Sequence, residues 1–201
     1  MVEIPVKCGF PEIGLDRVTE ELIRLGNFLD EAGVPFFLIG GTCLGLVRNK
    51  ALIPYDKDID IGVIGEENLR KALEAEKKIG YYDASHIVDA APVNGKVLWL
   101  KKVFDGKYTL PIALEAHYVR ENHIYYNRDM GETWKYRSGR VVYPRKFFDT
   151  LDKVEFRGCS FNVPSYIHEY LTAFYGADWR TPKEYTDWRY NCFNLHEGYW
   201  G

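Results

Sequence analysis

The stretch that most constrains how this chain folds is Tyr55-Asp56-Lys57-Asp58-Ile59-Asp60-Ile61-Gly62-Val63. Strand side chains alternate between two faces. Asp56, Asp58 and Asp60 are therefore expected on one face, with Ile59, Ile61 and Val63 on the other, turned into a core. Alternate Cα atoms of a strand lie about 6.6 Å apart, so neighbouring carboxylates can converge on one hard cation, or on two about 3.5–4 Å apart. Without a cation, like charges this close repel and some stay protonated. Oxygen-only ligands suit Mg²⁺ or Mn²⁺ better than zinc. The pattern is short, however. With 29 acidic residues in 201, an acid-x-acid-x-acid run arises by chance about 0.6 times per chain. A solvated edge strand that uses charge to discourage pairing has the same appearance.

The surrounding sequence gives the segment direction. Leu15, Val18, Leu22, Leu25, Phe28 and Leu29 recur at helical spacing. Asp16 lies near the start of that helix and Gly33 just past its end. Phe36 to Ile39 reads as a buried strand ended by Gly40 and Gly41, and Thr42 to Arg48 as a short helix. The acidic strand is expected over Asp58 to Val63, and a further helix over Glu66 to Lys78. Glycines after a strand let the backbone approach a ligand, and a helix N-terminus offers N–H groups to phosphate.

The middle of the chain is rich in β pattern: Lys96 to Phe104, Tyr108 to Arg120, His123 to Tyr126 and Lys135 to Tyr143. Asp105-Gly106 and Arg120 to Asn122 fall where hairpin turns belong. Lys153 to Arg157 and Ser160 to Val163 flank another turn. Pro164 precedes a helix from Tyr166 to Tyr175, with Gly176 at its end. The last 25 residues are aromatic and irregular. The Asp-Trp-Arg triplet at Asp178 to Arg180 recurs at Asp187 to Arg189, but its flanks do not, so no repeat is read.

Composition excludes several classes. A formal charge of −3 disfavours a binder of duplex nucleic acid. No apolar stretch approaches the length of a membrane span, and Met1 to Phe10 lacks the pattern of a signal peptide. Cys8, Cys43, Cys159 and Cys192 show no zinc-ligand spacing, and reduced thiols in a cytoplasmic protein are expected. One domain over residues 1–201 is expected. The 31 aromatic residues (15 Tyr, 11 Phe, 5 Trp) suit a sugar or nucleotide cleft, but aromatic area is mostly spent on packing, so a packed core is the first expectation.

Strand, Gly-Gly, helix, then a strand of alternating acids resembles the nucleotidyltransferase superfamily that includes DNA polymerase β. The resemblance is closer to one family within it. Leu38-Ile39-Gly40-Gly41-Thr42-Cys43-Leu44-Gly45-Leu46-Val47-Arg48 and Ile53-Pro54-Tyr55-Asp56-Lys57-Asp58-Ile59-Asp60-Ile61-Gly62 resemble the signature of the LicD/fukutin family. Tyr143-Pro144-Arg145-Lys146-Phe147-Phe148 resembles its Tyr/Phe-Pro-basic-aromatic segment. Val163-Pro164 through Leu171 and Tyr175 to Pro182 resemble its closing helix and Tyr-Gly-x-Asp-Trp run. The similarity extends from about Leu15 to Tyr185.

This resemblance implies an α/β (α+β) fold: a nucleotidyltransferase-like mixed sheet, covering helices, added β-hairpins and a C-terminal helix. It implies transfer of a phospho-alcohol, such as phosphocholine or a polyol phosphate, from a CDP-alcohol to a hydroxyl of a glycan or glycoconjugate, with release of CMP. Mg²⁺ or Mn²⁺ is the implied cofactor. Asp58 and Asp60 are the implied catalytic metal ligands, with Asp56 as a further ligand or outer partner. Glu115, in Leu114-Glu115-Ala116, stands where the family usually shows Asp, as metal ligand or general base. Gly40, Gly41 and Thr42 would cradle phosphate. Some larger fukutin-type members also carry a cysteine zinc module, whose ligand spacing is not seen in this sequence.

Several residues keep two readings. Arg48 is a phosphate contact or a surface ion pair. Lys101 and Lys102 are adjacent on a strand, so at most one faces the cleft. Arg145 and Lys146 are cleft cations or solvated ones. His117 shares a strand face with Glu115 as a reactive or a structural histidine. The imidazoles of His86, His123, His168 and His196 have no ligand spacing. Tyr55 and Trp99 stack on a ligand or pack in the core. Cys43 is expected to pack. Two other functions fit the same fold: a nucleotidyltransferase that releases pyrophosphate, and a non-catalytic sugar- or partner-binding module.

Overall fold

A computed structural model describes residues 6–7, 9–90, 95–128 and 139–182. Cys8, Cys192, His196, the triplet at 187–189 and the last aromatic residues lie outside them.

The chain opens with β1 (Val6–Lys7), α1 (Phe10–Ile13) and α2 (Leu15–Glu31). Val18, Leu22, Leu25 and Leu29, spaced at three or four, are all fully buried, so one face of α2 is core. Gly33, at φ +64°, turns the chain after it. Next come β2 (Phe36–Leu38), α3 (Gly40–Asn49), β3 (Ile59–Ile64) and α4 (Gly65–Ile79). Helix α4 carries Glu66 and Glu67 in its first turn and Lys77 and Lys78 in its last, matching the helix dipole. Gly80, at φ +65°, ends it.

The strands β4 (Asp83–Ala90), β5 (Gly95–Phe104), β6 (Tyr108–Arg120), β7 (His123–Arg128) and β8 (Gly139–Pro144) follow. Both expected turns form. Asp105 and Gly106 have positive φ, and Lys107 N–H donates to Phe104 C=O at 3.0 Å. Arg120 pairs with His123, leaving Glu121 and Asn122 as a two-residue loop. A 3₁₀ turn (Arg145–Phe147), the hairpin of β9 (Leu151–Phe156) and β10 (Cys159–Pro164), and α5 (Ile167–Tyr175) complete the description.

The main sheet has the order β2-β3-β6-β5-β4. Only β1 and β3 run parallel to β6; β2–β3, β4–β5, β5–β6, β6–β7 and β7–β8 are antiparallel. The sheet is therefore mixed, as expected. Its two faces differ. Ile59, Ile61 and Val63 of β3, Leu98 and Leu100 of β5, and Ile112 and Leu114 of β6 are fully buried in one core with the α2 leucines. By alternation, Asp60, Gly62, Val97, Trp99, Lys101, Ala113, Glu115 and His117 belong to the opposite face.

Three elements depart from expectation. The helix after Ile39 starts at Gly40 itself, so the glycines form its first turn instead of a separate turn. The acidic strand begins at Ile59, so Asp56 and Asp58 precede it. Strand β4 was not foreseen: Asp83 to Ala90 mixes small, polar and apolar residues, and its pairing with β5 shifts register between Ala84 and Ile87.

Candidate active site

The site forms where β2 delivers the chain into α3 beside β3. Phe37 pairs with Gly62 and Leu38 with Ile61. Ile39 N–H then donates to Asp60 C=O at 3.3 Å, so Gly40 arrives next to Asp60. Gly40 has φ +55°, which L side chains rarely adopt. A Cβ there would also collide with Asp60 Oδ2, and one on Gly41 with Asp56 Oδ2. The two glycines thus seat two carboxylates against the first turn of α3. The first intrahelical bond is Cys43 N–H to Ile39 C=O, at 2.9 Å. The amides of Gly40, Gly41 and Thr42 precede that ladder, where anions are favoured.

Asp56 reaches this place by a loop, since the strand has not yet begun. Its N–H donates to Ile53 C=O at 3.0 Å, and its C=O accepts from Phe10 N–H at 2.9 Å. Its Oδ1 accepts the Lys57 N–H at 3.0 Å. Burial, and then the charge of Asp58, push its carboxyl from 3.8 up to about 7. The role of Phe10 was not legible beforehand, because α1 has only four residues.

Thr42 holds helix to strand. Its Oγ1 accepts the Asp60 N–H at 3.0 Å, and the residue is buried. In accepting that bond the Thr42 hydroxyl keeps its own O–H as a donor. Glu115, half-buried, stands on β6 opposite Gly62, while Asp60 stands opposite Ala113. Glu115 therefore shares the face of Asp60, one pair further along. His117 lies beyond it, fully buried, its Nδ1 3.1 Å from Glu115 C=O. Its ring packs edge-on to Phe37 at 5.2 Å and tilted to Phe148 at 5.9 Å. Phe37 fits because a Cβ on Gly62 would strike its ring. His117 is thus enclosed by packing.

The expected cations separate. Lys101 pairs with Pro111, and Ile112 with Ile59, so Lys101 lies on the carboxylate face next to the start of β3. Lys102 faces the helices, its Nζ 3.3 Å from the Tyr81 ring centroid. Arg48 is not brought to the glycines. Eight residues of helix carry it about 12 Å from Gly40, where it meets Asn49 Oδ1 at 2.6 Å and Trp179 C=O at 3.4 Å. Arg145 is not brought there either. It pairs with Asp149 at 2.6 Å, and its N–H donates to Asn122 C=O at 2.9 Å. Asn122 follows Arg120, seven β6 residues past Ala113, or about 23 Å along the strand. Lys146 pairs with Glu169 at 2.5 Å. Cys43 is a free, buried thiol whose burial pushes its pKa up, so it is no nucleophile.

Among the described residues no group of three or more His, Cys, Asp or Glu side chains is arranged to hold one metal ion, so the expected set of Asp56, Asp58, Asp60 and Glu115 is not assembled as a whole. Mg²⁺ is typically held by one or two carboxylates, with water and substrate phosphate completing its shell. Asp56 and Asp60, lodged on adjacent glycines with Asp58 close enough to shift Asp56, can supply such an open set. The donors are all oxygen, and burial and the Asp58 charge hold the Asp56 pKa up at about 7, an unfavourable charge environment that a bound cation would relieve. The residues present fit a hard divalent cation.

The mixed sheet thus sets the carboxylates of Asp56 and Asp60 beside the N-terminus of α3. Residues 33–166 match the family model described as "LicD/FKTN/FKRP, nucleotidyltransferase domain". The chain belongs to the LicD/FKTN/FKRP family. It is 29% identical over 191 residues to the Homo sapiens "Ribitol-5-phosphate transferase FKTN", covering 94% of this chain and 39% of the relative. It is 27% identical over 177 residues to the Homo sapiens "Ribitol 5-phosphate transferase FKRP", covering 83% of this chain and 32% of the relative. The chain thus spans about two fifths or less of the length of these relatives. A solved structure of ANT(2")-Ia in complex with adenylyl-2"-tobramycin aligns with TM-score 0.48 and 14% identity, covering 89% of this chain and 87% of the other. No helix among the described residues is long and apolar enough to cross a membrane.

Proposed function

We propose that this chain transfers a phosphorylated alcohol from a CDP-alcohol to a hydroxyl of a glycan or glycoconjugate. The observation that carries this reading is the lodging of Asp56 and Asp60 on Gly40 and Gly41, beside the amides that open α3. The relatives are named ribitol-5-phosphate transferases, which favours a polyol phosphate over phosphocholine as the group carried.

The donor diphosphate would lie against the first turn of α3, where backbone N–H groups and the helix dipole favour negative charge. Lys101 faces that region from β5. The acceptor oxygen attacks the phosphorus that bears the alcohol. A new P–O bond forms, the bond from that phosphorus to the bridging oxygen breaks, and CMP leaves with the bridging oxygen. The proton of the acceptor hydroxyl passes to a base, and we assign that role to Glu115, a reading supported by its position on the face of Asp60, one pair beyond it. Mg²⁺ or Mn²⁺, held by Asp58 and Asp60 with Asp56 as a further ligand, would neutralise the diphosphate and favour in-line displacement.

The family's nucleotidyltransferase domain also fits a second reading, in which a nucleotide monophosphate is transferred and pyrophosphate leaves. A thermal-shift screen of CDP-ribitol, CDP-glycerol, CDP-choline and CDP-ethanolamine with Mg²⁺ separates the two, because a ligand of the native state raises its melting temperature. Stabilisation by CDP-ribitol or CDP-glycerol above nucleoside triphosphates supports the proposal. Stabilisation by a triphosphate alone, with pyrophosphate as product, supports the second reading.

A further inference from the structure

Beyond Asp60 the carboxylate face continues across β6 to β5. Asp60 is opposite Ala113, and Ala113 is opposite Trp99. The three residues therefore form one row across three strands, and Trp99 stands two strand spacings, about 10 Å, from Asp60. Its neighbours Leu98 and Leu100 are fully buried in the helix-side core, so the indole is directed to the carboxylate face. Trp99 is half-buried. Ala113 between them has only a methyl group, so no long side chain of that row separates the indole from the carboxylate. Lys101 flanks Trp99 on the same face of the same strand, opposite Pro111.

We infer that Trp99 is the stacking platform for the nucleobase of the donor. This rests on the proposed use of a CDP-alcohol and adds where its cytidine end lies. A diphosphate held at the start of α3 would extend its two substituents in different directions, one of them able to run toward β5. The one directed toward β5 meets a flat, half-exposed ring with no hydrogen-bonding side chain on the row that leads to it. A polyol chain is a string of hydroxyls that needs partners along its length. A pyrimidine needs a face, and every base has one. Lys101 is placed beside the path for the phosphate attached to the nucleoside.

The test is calorimetric binding in Mg²⁺ to wild type, Trp99→Ala and Trp99→Phe, with CMP, pyrophosphate and ribitol 5-phosphate as separate probes. The inference expects Trp99→Ala to weaken CMP about tenfold or more, as loss of a base stack does. Trp99→Phe should keep CMP within about threefold, and pyrophosphate should be unchanged in both. Ribitol 5-phosphate weakened with CMP unchanged would assign the indole to the alcohol end and overturn the inference. Equal losses for pyrophosphate and CMP in both variants would show a structural role and overturn it too. If wild type binds no cytidine nucleotide, the proposed function itself fails, and this inference with it.

Discussion

At the residue scale, Gly40, Gly41 and Gly62 are places where a single carbon atom decides the outcome. Gly40 combines a left-handed backbone with contact to Asp60 Oδ2. Gly40→Ala should cost about 1–2 kcal/mol for the backbone alone and displace the carboxylate, so turnover should fall at least tenfold, measured as product formation at saturating donor. An unchanged rate would contradict the cradle. Asp56 gives a pH prediction. Its folded pKa, about 7, lies above its ordinary value of 3.8. Between those values the folded chain holds a proton that the unfolded chain releases. Its contribution to stability is thus greatest below about pH 4 and is lost as pH rises to about 7. In chelator, Asp56→Asn should match wild type near pH 4 and exceed it at pH 8, by roughly 4 kcal/mol at the upper bound. Denaturation at both pH values checks this, and a variant less stable at pH 8 would contradict it. The alternation of acids and isoleucines made the face of Asp60 legible. It put Asp56 and Asp58 with it for an incomplete reason, because both precede the strand and a loop held by Phe10 delivers Asp56 where a strand was expected.

At the element scale, β5 shows how pairing register sorts adjacent residues. Lys101 and Lys102 are alike in sequence, but one shares a face with Asp60 and the other lies over Tyr81. Lys101→Ala should raise the KM for the donor several-fold with little change in melting temperature. Lys102→Ala should lower the melting temperature by about 2–4 °C, through loss of roughly 1 kcal/mol of cation–π contact, with KM retained. The reverse pattern would show that the faces are misassigned. The sequence stated that at most one of the pair could face the cleft; only the pairing with Pro111 says which. Helix α3 teaches the same lesson for Arg48. Its sequence distance from the glycines is small, but a helix converts it into about 12 Å of rise. Helices α2 and α4 and the hairpin turns were legible because their signals are local: apolar spacing, charged ends, and Asp-Gly at positive φ. Strand β4 was not, because its place comes from edge pairing with β5.

At the scale of the whole molecule, β6 organises the rest. It pairs with β1 and β3 in parallel and with β5 and β7 antiparallel, so it joins the face of Asp60 and Glu115 to the hairpins beyond. The helix-side core and the carboxylate face lie on opposite sides of one sheet. A change in the site chemistry can therefore be made without opening the core, which keeps the central claim testable. Asp60→Asn preserves the volume of the side chain and removes its charge. The most direct measurement is CMP release by wild type and Asp60→Asn from CDP-ribitol with Mg²⁺ and a glycan acceptor, with circular dichroism to confirm the fold. The account predicts CMP from wild type without pyrophosphate, and a loss of roughly a hundredfold or more in the variant at unchanged fold. Equal CMP release by the two proteins would contradict it.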